Sequence, residues 1–324
     1  MLEQFTDKLR GKRILVTGGA GFLGSHLCGR LLAHGAKVIC FDDLSTGTRE
    51  NINEYLGRDE FAFVTGDANK FADLSNVFDA EKIDYVFHYA ARVGVKRTTE
   101  QPLEVLEDVE GIKNVLHLSN KHNVEKVIFS SSSEVYGEPV EFPERENGHV
   151  NPKLPYASVK HIGEKFMESY HKVHGLRTCS LRFFNIYGPK QDSSAYGFVV
   201  GIFIKQALSG GPLTVLGDGT QTRDFVFVDD NINSSILALL TNATDGHVVN
   251  IGTGRPMTIL DMAELVIKVT GKDVKIEFLP FREGEIRHRF PDVSKMRSLL
   301  GYRPMHTIEE GVRKTMEWYQ GRLS

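Results

Sequence analysis

The stretch Arg13-Ile-Leu-Val-Thr-Gly-Gly-Ala-Gly-Phe-Leu-Gly24 constrains this chain more than any other, because an apolar β run passes straight into closely spaced glycines and then into an amphipathic segment. The order predicts a strand, an anion-binding turn and a helix. Gly18 permits the tight turn, Gly21 lets backbone approach a pyrophosphate, and Gly24 lets the helix close on the strand. Phe22 and Leu23 open that helix, whose N-terminus faces the anion. A second β run, Lys37-Val-Ile-Cys-Phe41, ends in Asp42, about 20 residues further on, which is the spacing of a dinucleotide-binding unit. A carboxylate there accepts hydrogen bonds from a ribose diol and repels a 2′-phosphate, which points to NAD rather than NADP as cofactor.

Beyond Asp42 the β and α periods keep alternating. Phe61–Thr65 reads as a short strand, 74–78 lies on a helix, and 85–91 is a buried strand ending in small residues. A long helix is expected over 103–122, begun near Pro102, then a strand over 127–133, a helix over 156–174 and a strand over 178–183. Such alternation predicts an α/β fold, a doubly wound parallel sheet with helices on both faces. The regularity stops near Gly188-Pro189. Later segments are punctuated by Gly210-Gly-Pro212 and Gly217-Asp-Gly219. They contain a helix over 229–241, a strand over 248–251, a helix capped by Thr258, and a final amphipathic helix over 308–319 after Pro304. We therefore expect a dinucleotide-binding domain over 1–187 and a smaller α/β substrate lobe over 188–324, whose segments can interleave with the first domain.

Composition narrows the function classes. Of the 324 residues, 25% are charged and 41% hydrophobic, which suits a folded globular chain rather than a disordered or fibrous one. A formal charge of −3 gives no electrostatic reason to expect a nucleic acid or an anionic membrane as partner. Residues 1–12 lack the apolar centre of a signal peptide, and no apolar run approaches the ~20 residues of a membrane span, so a cytoplasmic location is expected. Cys28, Cys40 and Cys179 fall at apparent core positions and read as reduced thiols. His171 and His174 share a helical face, but no third ligand lies nearby in sequence, so no metal site is expected.

Tyr156-Ala-Ser-Val-Lys160 puts a phenol and an ammonium on one helical face. A neighbouring ammonium, helped by an oxidised nicotinamide, favours the phenolate, so Tyr156 is placed to take a hydroxyl proton near neutral pH despite its reference pKa of about 10. Ser132, at the tip of the preceding strand, is placed to hydrogen-bond the same hydroxyl.

With these residues in hand, the chain resembles the extended short-chain dehydrogenase/reductase family, specifically its nucleotide-sugar epimerases and dehydratases. The resemblance covers nearly the whole chain. It is carried by Thr17-Gly-Gly-Ala-Gly-Phe-Leu-Gly24, His88-Tyr-Ala-Ala91, Ser130-Ser-Ser-Ser-Glu-Val-Tyr-Gly137 and Tyr156-Ala-Ser-Val-Lys160 in the first half. In the second half it rests on Arg182-Phe-Phe-Asn-Ile-Tyr-Gly-Pro189, Thr222-Arg-Asp224 and Arg282-Glu-Gly-Glu-Ile-Arg287. It implies a Rossmann fold, NAD as cofactor and a nucleotide-diphospho-sugar substrate. By resemblance Ser132, Tyr156 and Lys160 form the catalytic set, Asp42 holds the adenosine ribose, Asp67 and Ala68 lie by the adenine, and Ala90 and Ala91 line the cofactor. Asn185, Arg223 and Arg282 match positions that grip the nucleotide diphosphate, Glu285 matches a carboxylate that contacts the nucleotide ribose, and Arg287 closes the same motif on the substrate side. Family members commonly pair as homodimers through the helices that carry Tyr156 and the stripe Leu103, Leu106, Ile112 and Leu116, which reads as core or as dimer surface.

The resemblance implies oxidation at sugar C4, and three outcomes share that first step. A 4-epimerase returns hydride to the opposite face of the 4-keto sugar; this is the expected activity. A 4,6-dehydratase expels water from C6, and a UDP-glucuronate decarboxylase loses carbon dioxide. Ser133-Glu134 keeps these open: Glu134 matches a base at C5, while Ser133 lacks the carboxylic acid of many dehydratases. Arg289 matches an arginine that the decarboxylases place near the sugar carboxylate. A different class, a non-catalytic NAD-binding sensor on the same fold, would have no need of the Ser132, Tyr156 and Lys160 set. Asp108 departs from the family's usual Asn, and a charge buried there needs a partner.

Overall fold

Seven parallel strands in the order β3-β2-β1-β4-β5-β6-β11 form the centre of the computed structural model, which describes residues 7–93, 100–191, 198–281 and 286–323. The first half contributes β1 (Arg13–Thr17), α1 (Phe22–Ala33), β2 (Lys37–Asp42), β3 (Phe61–Thr65), α2 (Phe71–Ala80) and β4 (Tyr85–His88). It continues with α3 (Pro102–Leu106), α4 (Asp108–Lys121), β5 (Lys126–Ser132), α5 (Pro155–His174) and β6 (Arg177–Phe183). Within β1, Ile14 and Val16 pack into the buried cluster on one face of the sheet while Leu15 packs into the cluster on the other. A strand covered on both faces has to be apolar at nearly every position, which is why these strands read as continuous apolar runs. The strand order reverses between β1 and β4, and in open α/β sheets the crevice for a ligand lies at that point, outside the carboxyl ends of the strands.

After β6 come β7 (Ile186–Tyr187), α6 (Val199–Leu208), β8 (Leu213–Leu216), β9 (Thr222–Asp224), β10 (Val226–Phe227), α7 (Val228–Leu240), β11 (His247–Ile251) and β12 (Pro256–Thr258). The chain ends with α8 (Ile259–Thr270), β13 (Ile276–Leu279), β14 (His288–Arg289), α9 (Ser294–Leu300) and α10 (Ile308–Leu323). Two of these belong with the first layer. β11 completes the large sheet by pairing in parallel with β6, and α7, buried at every position except Asp229, packs against α1, β5 and β6. The buried Asp230 carboxylate on α7 accepts from the Tyr302 hydroxyl at 2.5 Å and from the Met305 and His306 N–H groups at 2.9 and 3.1 Å, fastening the approach to α10. The small sheets β13-β8, β10-β7 and β12-β9-β14 build the remainder. Thr258 caps α8 in a reciprocal box with Asp261, as expected of a Thr before an apolar-periodic run.

Two expectations about elements are corrected. The helix expected over 103–122 is broken at Glu107, where Asp108 turns its carboxylate inward onto Arg92. α6 was not foreseen: Val-Val-Gly-Ile-Phe-Ile is rich in β-branched residues, and packing against α8 overrides that weak preference. Ile112 and Leu116 lie in this chain's own core, whereas Leu103 and Leu106 are exposed. Cys28, Cys40 and Cys179 are free and buried. Among the described residues, no helix is long and apolar enough to cross a membrane.

Candidate active site

A cleft of about 740 Å³ opens at the carboxyl ends of β1, β2, β4 and β5. Its floor is the glycine turn. Gly18 has φ +69°, and a Cβ there would stand 2.7 Å from the Ala90 N, so only glycine lets β1 run this close to the chain leaving β4. A Cβ on Gly24 would run into the Gly18 carbonyl oxygen, which is why α1 can close on the turn only with glycine at that position. Gly21 precedes α1 with no side chain capping the helix, leaving its first N–H groups for an anion. Asp42 takes the Ala20 N–H on Oδ2 at 2.9 Å and the Leu44 N–H on Oδ1 at 2.8 Å. Burial pushes its carboxyl up, and these N–H groups, with that of Gly21, oppose the rise. Phe22, Leu23, Asp67, Ala68, Ala90 and Ala91 line the same cleft.

Ser132, Glu134, Tyr156, Lys160 and Asn185 line it as well, although they come from β5, the turn after it, α5 and the chain after β6. The Ser132 hydroxyl is hydrogen-bonded to the Tyr156 phenol and accepts the Glu134 N–H at 3.2 Å. Lys160 donates to Ser130 Oγ at 3.2 Å, and its Nζ lies 5.6 Å from the Tyr156 ring centroid. Burial raises the Tyr156 phenol well above its ordinary value, Glu134 and Asp108 push the same way, and the Ser132 hydrogen bond opposes them. The phenolate expected from the Tyr156 and Lys160 spacing is therefore not favoured by the protein alone. The Lys160 ammonium is turned toward Ser130.

Burial also lowers Lys160 to about 8, against the pull of Asp108. Its charged form is thus costly in the folded state, fully so below pH 8 and progressively less as pH rises toward its ordinary 10.5. Lys160→Met is expected to stabilise the fold at neutral pH by up to about 3 kcal/mol, with the advantage vanishing at high pH, while turnover falls. Urea titrations of both proteins, at matched NAD content, at neutral and alkaline pH check this; equal stability at neutral pH would contradict it.

Two ion pairs flank the cleft. Asp108, 8% exposed, accepts from the Arg92 N–H at 2.7 Å, from Arg92 Nη1 at 3.0 Å and from Asn69 Nδ2 at 3.3 Å, so Arg92 is the partner its charge needs. Arg289, also buried, pairs with Glu134 through Nη1 and donates to the Gly137 carbonyl from Nη2 at 2.8 Å. Arg223 and Arg287 do not line the cleft. Arg223 donates from Nη1 to the Thr222 and Arg287 carbonyls, and the Arg287 guanidinium lies 5.7 Å from the Phe281 ring centroid. Arg282 and Glu285 lie outside the described residues. Trp318 and Arg322, to which no sequence pattern points, also line the cleft, as does Lys190. Nothing in the local pattern of α10 announces a cleft nearly the whole chain away.

The family model described as "NAD dependent epimerase/dehydratase family" matches residues 14–252. This chain belongs to that family. Within it, the chain is 36% identical to UDP-glucose 4-epimerase of Mycolicibacterium smegmatis over 96% of this chain and 99% of that protein. It is 33% identical to UDP-glucuronic acid decarboxylase 1 of Danio rerio over 99% of this chain and 75% of that one. The crystal structure of UDP-glucose 4-epimerase from Thermotoga maritima with UDP-glucose superposes with a TM-score of 0.91 at 35% identity, covering 96% of this chain and all of that one. The sheet and its flanking helices thus form the Rossmann arrangement of the epimerase structures.

Proposed function

We propose that this member of the NAD dependent epimerase/dehydratase family is a nucleotide-sugar 4-epimerase. The observation that carries the reading is the convergence of Ser132, Tyr156 and Lys160 on the cleft floored by the glycine turn. Residues 18–24 would hold a pyrophosphate on the start of α1, Asp42 the adenosine ribose diol, Asp67 and Ala68 the adenine, and Ala90 and Ala91 the wall beside the nicotinamide. NAD, when bound, supplies a hydride acceptor that also serves as donor. Tyr156 takes the proton of the 4-hydroxyl and later returns it, Ser132 holds that hydroxyl by a hydrogen bond, and Lys160 brings positive charge to the pocket floor. Since burial raises Tyr156, the cationic nicotinamide has to offset the desolvation that the protein imposes. Asn185, with Arg223, Arg282, Glu285 and Arg287, is assigned to the nucleotide diphosphate and its ribose, where guanidinium forks match phosphate geometry.

A second reading rests on Arg289, which matches an arginine that the decarboxylases place near the sugar carboxylate and which pairs here with the cleft-lining Glu134. Incubation with UDP-glucose, UDP-N-acetylglucosamine, UDP-glucuronate and GDP-mannose, read by product mass and stereochemistry, decides. An isomer of unchanged mass is expected. Loss of carbon dioxide, or of water, would replace the epimerase with a decarboxylase or a 4,6-dehydratase. A homodimer through α3, α4 and α5, where Leu103, Ile162 and Val173 are exposed, belongs to the same reading, and sedimentation would test it.

A further inference from the structure

Behind the Arg289 and Glu134 pair stands a second carboxylate that the proposed chemistry does not use. Glu144 is 2% exposed, and among the described residues neither of its carboxyl oxygens has a hydrogen-bond partner. Its backbone is held in place: the Glu144 N–H donates to the Phe290 carbonyl at 3.0 Å, and the Asp292 N–H donates to the Glu144 carbonyl at 2.8 Å. The Arg289 Nε likewise has no hydrogen-bond partner among the described residues; its ion pair with Glu144 Oε1 spans a long 4.0 Å. One edge of the guanidinium is therefore engaged with Glu134 and the Gly137 carbonyl, while the other is aimed across a short gap at an unsatisfied carboxyl group. Leaving both groups without a hydrogen bond in a buried site is costly unless a second arrangement supplies one.

We propose that Glu134 and Glu144 share one arginine and one proton: Arg289 turns from Glu134 to Glu144 as Glu144 gives up a proton and Glu134 gains one. Glu134 then meets the substrate as a carboxylate in one state and as a carboxylic acid in the other. The cluster's charge is the same in both states, since one carboxylate, one carboxylic acid and one guanidinium are present throughout. Burial pushes Glu144 up to about 8, Arg289 opposes that and Glu134 adds to it, so Glu144 is the protonated member at neutral pH. Among the described residues, Arg182 reaches Glu144 from β6, and Tyr156 faces Glu134 from α5. The inference rests on the epimerase reading, in which the keto sugar turns within the cleft. A side chain able to donate to a sugar oxygen in one state and accept from a sugar hydroxyl in the other suits that turn, and Glu144 acts through it as a positioning residue.

Glu144→Gln tests this in the NAD-loaded enzyme, because glutamine fills the site but can neither release a proton nor pair as an anion. Infrared difference spectra of the wild type should show the carbonyl band of a protonated carboxyl group at neutral pH, titrating near 8 and absent from Glu144→Gln. The variant should lose the matching limb of the kcat profile and about tenfold in kcat with KM little changed, whereas Glu144→Asp should keep a limb. A wild type without the band, or a variant with an unaltered pH profile, overturns the inference. If the wild type turns over no nucleotide sugar, the epimerase reading fails instead, whatever the infrared titration shows.

Discussion

Tyr156→Phe is expected to lower turnover of the nucleotide sugar by about 10²–10⁴-fold, the range that a lost proton-transfer group commands, while leaving NAD content and thermal stability near those of the wild type. The phenyl ring keeps the packing that buries this position, so the variant removes one oxygen and little else. Neither neighbour can take over. Ser132 Oγ is already accepting the Glu134 N–H, and a serine hydroxyl is a far weaker acid than a phenol. Lys160 donates to Ser130, two residues before Ser132 on β5, and its charge is what the site needs from it. Because Ser132 loses a partner and no charge is left unpaired, the cost to stability should stay small. Single-turnover kinetics would separate loss of the chemical step from weaker binding, and the cofactor released on denaturation would report NAD occupancy. A variant with wild-type turnover would remove the phenol from the mechanism.

The parts of this molecule visible in its sequence are those where local chemistry and tertiary packing demand the same residues. The turn from Gly18 to Gly24 is one: φ at Gly18 and the approach of Gly24 to the Gly18 carbonyl each require glycine whatever the rest of the chain does. Asp42 is another, since a carboxylate at the end of an apolar strand is costly unless something uses it. The strands of the sheet were legible because burial on both faces leaves an unbroken apolar run. Where tertiary contacts alone decided, the sequence was mute. Val199–Leu208 carries β-branched residues on a helix, and the interruption of helix 103–122 at Glu107 falls where Asp108 meets Arg92. The meeting of Glu134, Arg289 and Glu144 joins a turn after β5, a two-residue strand and an irregular loop. Of these, only Glu134 and Arg289 were singled out in advance, and only through family likeness. No spacing rule connects residues 155 positions apart.

The largest effect on stability is expected from Arg182→Met, which should cost about 3–5 kcal/mol. Arg182, on β6, clamps Glu164 in two parallel bonds, Nε to Oε1 and Nη2 to Oε2, both 2.8 Å, and Ser131 Oγ donates to the same Oε1 at 2.5 Å. Both members of the pair are 2% exposed, and the Arg182 guanidinium also stands 4.6 Å from the Tyr136 ring centroid. Glu164 lies one helical turn beyond Lys160, so the clamp fixes the depth at which α5 holds the catalytic residues against β5 and β6. Removing the arginine leaves a carboxylate with no water to solvate it. Removing both, in Arg182→Met with Glu164→Leu, should restore most of the loss, because the pair's mutual attraction roughly repays its own desolvation. The pH dependence carries the same signature. Burial alone would raise Glu164, but Arg182 and the hydrogen bonds from His161 and Ser131 hold it at about 2 against an ordinary 4.5. A carboxylate lowered in this way stabilises the fold above its unfolded value and loses that contribution as pH falls through the folded one. Of the order of 3 kcal/mol should therefore disappear between pH 4.5 and 2 in the wild type and be missing from the double variant's acid titration. Strictly additive single and double substitutions, measured by urea unfolding, would show that the two side chains do not act as a pair; the kinetics of the double variant would then show how far the position of α5 depends on them.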